Sequence, residues 1–205
     1  MNIKDLQKKI RLDTFFLWIL CGICGLVVLV HISQIEQYYK MNNSSFEVKL
    51  GPTDTKNDTY NYYLYIDGEQ YYPVDYNDYG RIDENGNTDI RANIIIDNLN
   101  GIVKSCLIGI ILLILCEMFK EIKQGLTPFS MKNVKRLRII AILSFFVALL
   151  PVAVNILSSV IIFGYMSLNF TTLNYYVIII GVVLGIISEV FRYGCVLQDD
   201  IDQIA

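Results

Sequence analysis

The sequence predicts a membrane α-helical protein: a four-transmembrane-helix bundle with a small extracellular β-rich domain between helices 1 and 2. Three observations carry this. Apolar residues make up 54% of the 205 positions and are gathered in long blocks. Residues 14–35 and 139–188 contain no Asp, Glu, Lys or Arg at all. The remaining charge is unevenly distributed, with basic residues in excess in 1–13 and 120–138 and acidic residues in excess in 36–100.

One membrane helix needs about 20 apolar residues. Residues 14–35 are therefore one span, and 139–188 must fold back as two, at 139–163 and 174–192. An external turn at 164–173 joins them, in the stretch "GYMSLNFTTLN". A further span covers 101–119, with Lys104 and Glu117 near its ends. The first apolar run exceeds the ~7–15 residues of a signal-peptide core, and "HISQIEQ" offers no small-x-small cleavage site. It reads as a permanent anchor.

Lys and Arg set the orientation. The tail 1–13 holds Lys4, Lys8, Lys9 and Arg11. The loop 120–138 holds Lys120, Lys123, Lys132, Lys135, Arg136 and Arg138. Segment 36–100 carries five basic and twelve acidic residues. Both tails, 1–13 and 193–205, are thus expected in the cytoplasm, and 36–100 outside. A basic loop at the inner edge is what insertion requires, so direct nucleic-acid binding is not needed to explain it. Anionic lipids are its expected partner, each of Lys132, Lys135 and Arg136 contributing about 1 kcal/mol near the surface.

The outer segment holds ten of the fourteen tyrosines. "TYNYYLYI-DG-EQYYPVDY" predicts a β-hairpin turning at Asp67-Gly68. Alternation places Tyr60, Tyr62, Leu64 and Ile66 on one face, and Asn61, Tyr63 and Tyr65 on the other. Pro73 cannot donate to a ladder, so its strand belongs at an edge. "SFEVKLG" predicts another strand, and "DIRANIII" either a fourth strand or a lead-in to span two. Tyr60, Tyr62, Tyr63, Tyr65, Tyr71 and Tyr72 either form an external binding surface for a peptide or small ligand, or pack the hairpin and rest at lipid headgroups. A segment of this size is a marginal core by itself, and it contains no cysteine, so it must lean on the helices or on a partner. "DENGNTD" places oxygens like a calcium loop, but its Gly is displaced and no Glu closes it. It reads as a solvated turn. "NNS", "NDT" and "NFT" match the glycosylation pattern, one that is frequent by chance.

No enzyme chemistry is expected. His31 is the only histidine, and no catalytic-serine, zinc-protease or phosphate-loop pattern is present. No cofactor or metal is implied. "CGIC", residues 21–24, lies inside span one, where small residues serve close helix approach better than redox chemistry. Span three offers only Ser144, Asn155, Ser158 and Ser159 as polar interior groups, with Pro151 as a kink. At the inner edge, Glu117, Arg136, Arg138, Glu189 and Arg192 either form one ion-pair cluster or snorkel separately.

Two stretches carry a resemblance. "GLTPFSMKNVKRLR" before span three and "EVFRYGCVLQDDID" after span four, with the spacing of the four spans, resemble a family of bacterial four-helix membrane proteins known as domain of unknown function 2975. The family's usual tail is closer to "L-Q-x-E-N-D-x-T-V", and "LQDDIDQIA" departs from it. The resemblance implies a bacterial plasma-membrane protein, often encoded beside a Cro-type helix-turn-helix regulator. It implies a membrane partner that holds or releases such a regulator. The docking surface would come from Thr127, Pro128, Phe129, Asn133 and Leu137 on one stretch. Phe191, Gly194, Leu197 and Gln198 would supply the other. Three readings of function stand side by side: a sensor whose outer domain meets a ligand or peptide while its inner face controls a cytoplasmic regulator, an antimicrobial-peptide immunity protein, and a small transporter subunit.

Overall fold

The computed structural model describes residues 3–51, 62–74, 89–124, 127–164 and 173–204. In chain order these form α1 (Ile3–Lys40), β1 (Phe46–Leu50), β2 (Tyr62–Ile66), β3 (Glu69–Val74), α2 (Ile90–Lys123), α3 (Met131–Phe163) and α4 (Tyr175–Ile204). All four helices are long and apolar enough to cross a membrane, which fits a multi-pass membrane protein. Large side chains on them point outward, such as Phe15, Leu26, Ile161 and Ile186. In water that would be a standing cost, whereas in a bilayer lipid chains cover them.

The helices outrun the apolar segments. α1 continues past residue 35 to Lys40, and α4 continues through the tail to Ile204. An apolar run fixes only the part inside the membrane, and a helix goes on until something stops it. Pro128 lies ahead of α3 and Gly164, at φ +71°, follows it. α2 begins at Ile90 because the Asp89 carboxylate accepts from the Ala92 amide at 2.9 Å, an N-cap. "DIRANIII" is thus the lead-in to span two and not a fourth strand.

The chain packs as two compact units. One comprises Leu29–Ile102 and Ala153–Asn169 and holds the sheet, an antiparallel ladder in the order β1-β2-β3. Asp67 and Gly68 both have positive φ, 51° and 83°, as a two-residue turn of the hairpin's own twist requires. Leu64 and Ile66 point inward, and Tyr63 and Tyr65 are half-buried on the other face. Pro73 lies on β3, an edge strand, opposite Tyr63. The core joins Phe46, Leu64 and Ile66 to Tyr38 of α1 and to Ile90 and Ile94 of α2. Half of that core comes from helices, which is how a sheet this small is held without a disulfide. Arg91 adds a tie, donating from Nη1 to the Met41 carbonyl at 3.0 Å. Tyr60, residues 83–88, the "NDT" and "NFT" sites and most of the turn at 164–173 lie outside the described residues.

The other unit comprises Met1–Val28, Val103–Val152 and Phe170–Ala205. Met118 of α2 packs with Leu137 and Ile140 of α3, backed by Leu184 and Phe191 of α4. α3 and α4 approach closely at Gly181, where an added Cβ would stand 3.1 Å from the Ala141 carbonyl oxygen. On α1, Cys21, Cys24 and Gly25 share a groove with Ser105, Cys106 and Gly109 of α2. All five cysteines are free thiols.

Candidate functional site

The two stretches singled out in the sequence meet each other. Between α2 and α3 the chain turns through Thr127 to Ser130, and local hydrogen bonds shape the turn. The Thr127 hydroxyl accepts from the Phe129 amide at 3.1 Å. Ser130 caps α3, its Oγ accepting from the Asn133 amide at 3.2 Å. Asn133, almost fully buried, donates from Nδ2 to the Pro128 carbonyl at 3.1 Å. Proline supplies no N–H and fixes φ, so the turn is held on both sides of it.

That turn lies on α4. The Phe129 ring packs on Phe191 with centroids 5.2 Å apart. It also fills the space above Gly194, where an added Cβ would stand 2.5 Å from Phe129 Cδ1. Thr127 donates its hydroxyl proton to Gln198 Oε1 at 3.0 Å. Further along α3, Arg138 Nη2 meets Glu189 Oε1 at 2.6 Å, and Arg192 Nε meets the other oxygen of Glu189 at 2.8 Å. Phe191, Gly194 and Gln198 stand at i, i+3 and i+7, one face of α4. We call this arrangement the clasp.

A second group forms between α2 and α3. Arg136 is nearly buried, its side chain 10% exposed, and reaches Glu117 at 2.8 Å and Glu121 at 2.6 Å. It also donates to Asn133 Oδ1 at 3.2 Å. Lys132 bonds the other oxygen of Glu121 at 2.5 Å. Glu117 and Glu121 are four apart on α2, and Lys132 and Arg136 are four apart on α3, so each helix presents a matched pair. The five charges named from the sequence therefore fall into two groups, Arg136 with Glu117 and Glu189 with Arg138 and Arg192. Among the described residues no ion pair joins them. Glu121 was missed, although its i+4 spacing from Glu117 signals it.

Of the remaining predicted residues, Leu137 is buried beside Met118 and Ile140, while Leu197 is exposed. In the sheet, Tyr62 and Tyr63 are half-buried, and Tyr71 and Tyr72 are exposed. Lys49 stands 5.7 Å over the Tyr65 ring and pairs with Glu47.

The sheet unit also holds polar contacts among its helices. Asn98, 7% exposed, donates from Nδ2 to the Ile94 carbonyl at 2.8 Å, leaving Oδ1 to meet His31 Nδ1 at 2.8 Å. That assigns the imidazole proton to Nδ1. The ring lies over Gly101, where a Cβ would come within 2.3 Å of Nε2. Asn100 donates to Asn155 at 2.7 Å, both buried. Asn98 and Asn100 fell within the segment read as an outer domain, so nothing in the sequence linked them to His31 and Asn155.

A sequence profile for a family described as a protein of unknown function (DUF2975) matches residues 57–204, well over half of the chain and inclusive of both halves of the clasp. No curated protein and no solved structure matches.

Proposed function

The chain belongs to the DUF2975 family, and from its own residues we propose that it is a membrane sensor that couples an external ligand or peptide to a cytoplasmic regulator. In this reading it sits in a bacterial plasma membrane with both termini inside, and anionic lipids hold exposed Lys135, since glutamates of α2 engage Lys132 and Arg136. The role uses binding alone and needs neither a catalytic group nor a cofactor.

The clasp is the observation that supports it. Its contacts are an exposed hydrogen bond, one ring pair and a half-exposed ion pair. Each is individually weak in water, so the turn can part from α4 without unfolding the helices. A ligand that prefers one arrangement by about 1–3 kcal/mol would shift the balance severalfold or more. α2 contributes its first turns to the sheet unit and its last to the unit with the clasp. A single helix thereby belongs both to the sheet's core and to the Arg136 group.

Transcript profiling of cells carrying Phe129→Ala at normal protein level tests the reading. A restricted set of transcripts should change as it does on deletion of the gene. Unchanged transcripts in both strains would remove the regulatory role.

A further inference from the structure

α4 is 30 residues long, about 45 Å at 1.5 Å per residue, against roughly 30 Å of hydrocarbon. Counted from Tyr175, its last ten residues or so project about 15 Å beyond the hydrocarbon. On this projecting part Leu197 and Ile201 are 45% and 64% exposed, and Tyr193, just inside its membrane edge, is 65% exposed. They stand at i, i+4 and i+8, one stripe, beside the face that Phe129 covers through Gly194. Within the bilayer, lipid covers such residues. Past it, Leu197 and Ile201 would face water.

Charge decides among the occupants. After Arg192 the chain carries Asp199, Asp200 and Asp202 and no Lys or Arg. Asp199 and Asp200 are exposed. The C-terminal end of a long helix adds partial negative charge of its own. An anionic headgroup layer repels this end. A second copy in the same membrane would bring its own Asp200 and its own helix end alongside, like against like. A helix with an apolar seam flanked by Lys or Arg satisfies both features, its seam covering the stripe and its cations meeting the aspartates.

We propose that the projecting face of α4, built on Leu197 and Ile201 with Tyr193 at its membrane edge and bordered by Asp200, is the docking surface for a basic amphipathic helix of a partner protein. This deepens the regulatory reading and rests on it only in placing that end of α4 in the cytoplasm. The clasp lies against the adjoining face, so a partner seated on the stripe would touch the side of α4 that Phe129 holds.

The test uses the full chain in nanodiscs of zwitterionic lipid and two labelled synthetic helices, a leucine–lysine and a leucine–glutamate heptad peptide, read by fluorescence anisotropy. The lysine peptide should bind loaded discs at least tenfold more tightly than empty discs or discs carrying L197S/I201S. D199N/D200N should weaken it severalfold, and the glutamate peptide should not bind. Both variants change exposed positions, and unchanged melting would show them folded. Equal binding of the lysine peptide to loaded and empty discs, or to wild type and L197S/I201S, would overturn the proposal. So would efficient Leu197→Cys self-cross-linking with no peptide binding, which would assign the surface to a second copy. Peptide binding with transcripts unmoved by L197S/I201S would keep the surface and remove the regulatory reading. Transcripts that move without peptide binding would do the reverse.

Discussion

Replacing Gly101 by Ala places a methyl group where the His31 ring now lies, 2.3 Å from Nε2, 2.6 Å from Cε1 and 2.8 Å from Cδ2. No carbon sits that close to three ring atoms, so something must yield. If the helices part, the cost is that of overpacking, about 1–3 kcal/mol. If the ring swings aside, the 2.8 Å bond to Asn98 breaks and leaves a buried amide oxygen without its donor, again about 1–3 kcal/mol. Alanine's better helix propensity returns up to about 1 kcal/mol, so these opposing effects leave a net loss of about 0–3 kcal/mol. His31→Ala alone removes the same hydrogen bond and costs about 1–3 kcal/mol. In the double variant the clash is gone and the propensity gain stays. It should therefore be no less stable than His31→Ala, a coupling of about 1–3 kcal/mol. Reversible unfolding of the four proteins in bicelles measures the cycle. Strict additivity would refute the packing of His31 on Gly101.

Asn100→Leu should cost up to about 1 kcal/mol in the same unfolding assay, by removing the amide donor that Asn155 accepts at 2.7 Å against relief of the unbonded Asn100 Oδ1. Gly68→Ala should destabilise the hairpin by about 1–2 kcal/mol because alanine resists a φ of 83°. Faster protease nicking of the sheet, relative to Asp67→Gly, would report it. Arg136→Met should lower the melting temperature clearly more than Arg138→Met, since Arg136 is 10% exposed and holds two carboxylates, whereas Arg138 is 46% exposed and holds one.

What the sequence disclosed follows from how local each signal is. Four helices were readable because apolar runs of about 20 residues have few other solutions. The hairpin was readable because Asp67-Gly68 sits between alternating residues, and the inward set of Leu64 and Ile66 follows from a period of two. "DIRANIII" was ambiguous, since three successive isoleucines suit a strand. Asp89 at the cap position was the deciding signal, and it lies one residue before the helix. The clasp was not readable as a clasp. Thr127 and Gln198 are 71 positions apart, and no local rule pairs a threonine before a proline with a glutamine on a distant helix. Both stretches could be singled out, but each was assigned to an outside partner rather than to the other. The ion pairs were readable as a set of charges near one edge. Their division into two groups depends on which face of α3 each arginine occupies: Arg136 and Arg138 are two residues apart, so they point about 200° apart around the helix and reach different neighbours.

The turn at Thr127–Phe129 is held against α4. Cross-linking between Thr127→Cys and Gln198→Cys in native membranes tests it most directly, with a short thiol–thiol reagent and mass-spectrometric identification of the joined peptides. The 3.0 Å contact between these side chains predicts an efficient intramolecular link. It also predicts little or none between Thr127→Cys and Ile201→Cys, whose position lies on the exposed stripe of α4. Equal yields from the two pairs, or no link at position 198 with both thiols reactive, would contradict the clasp.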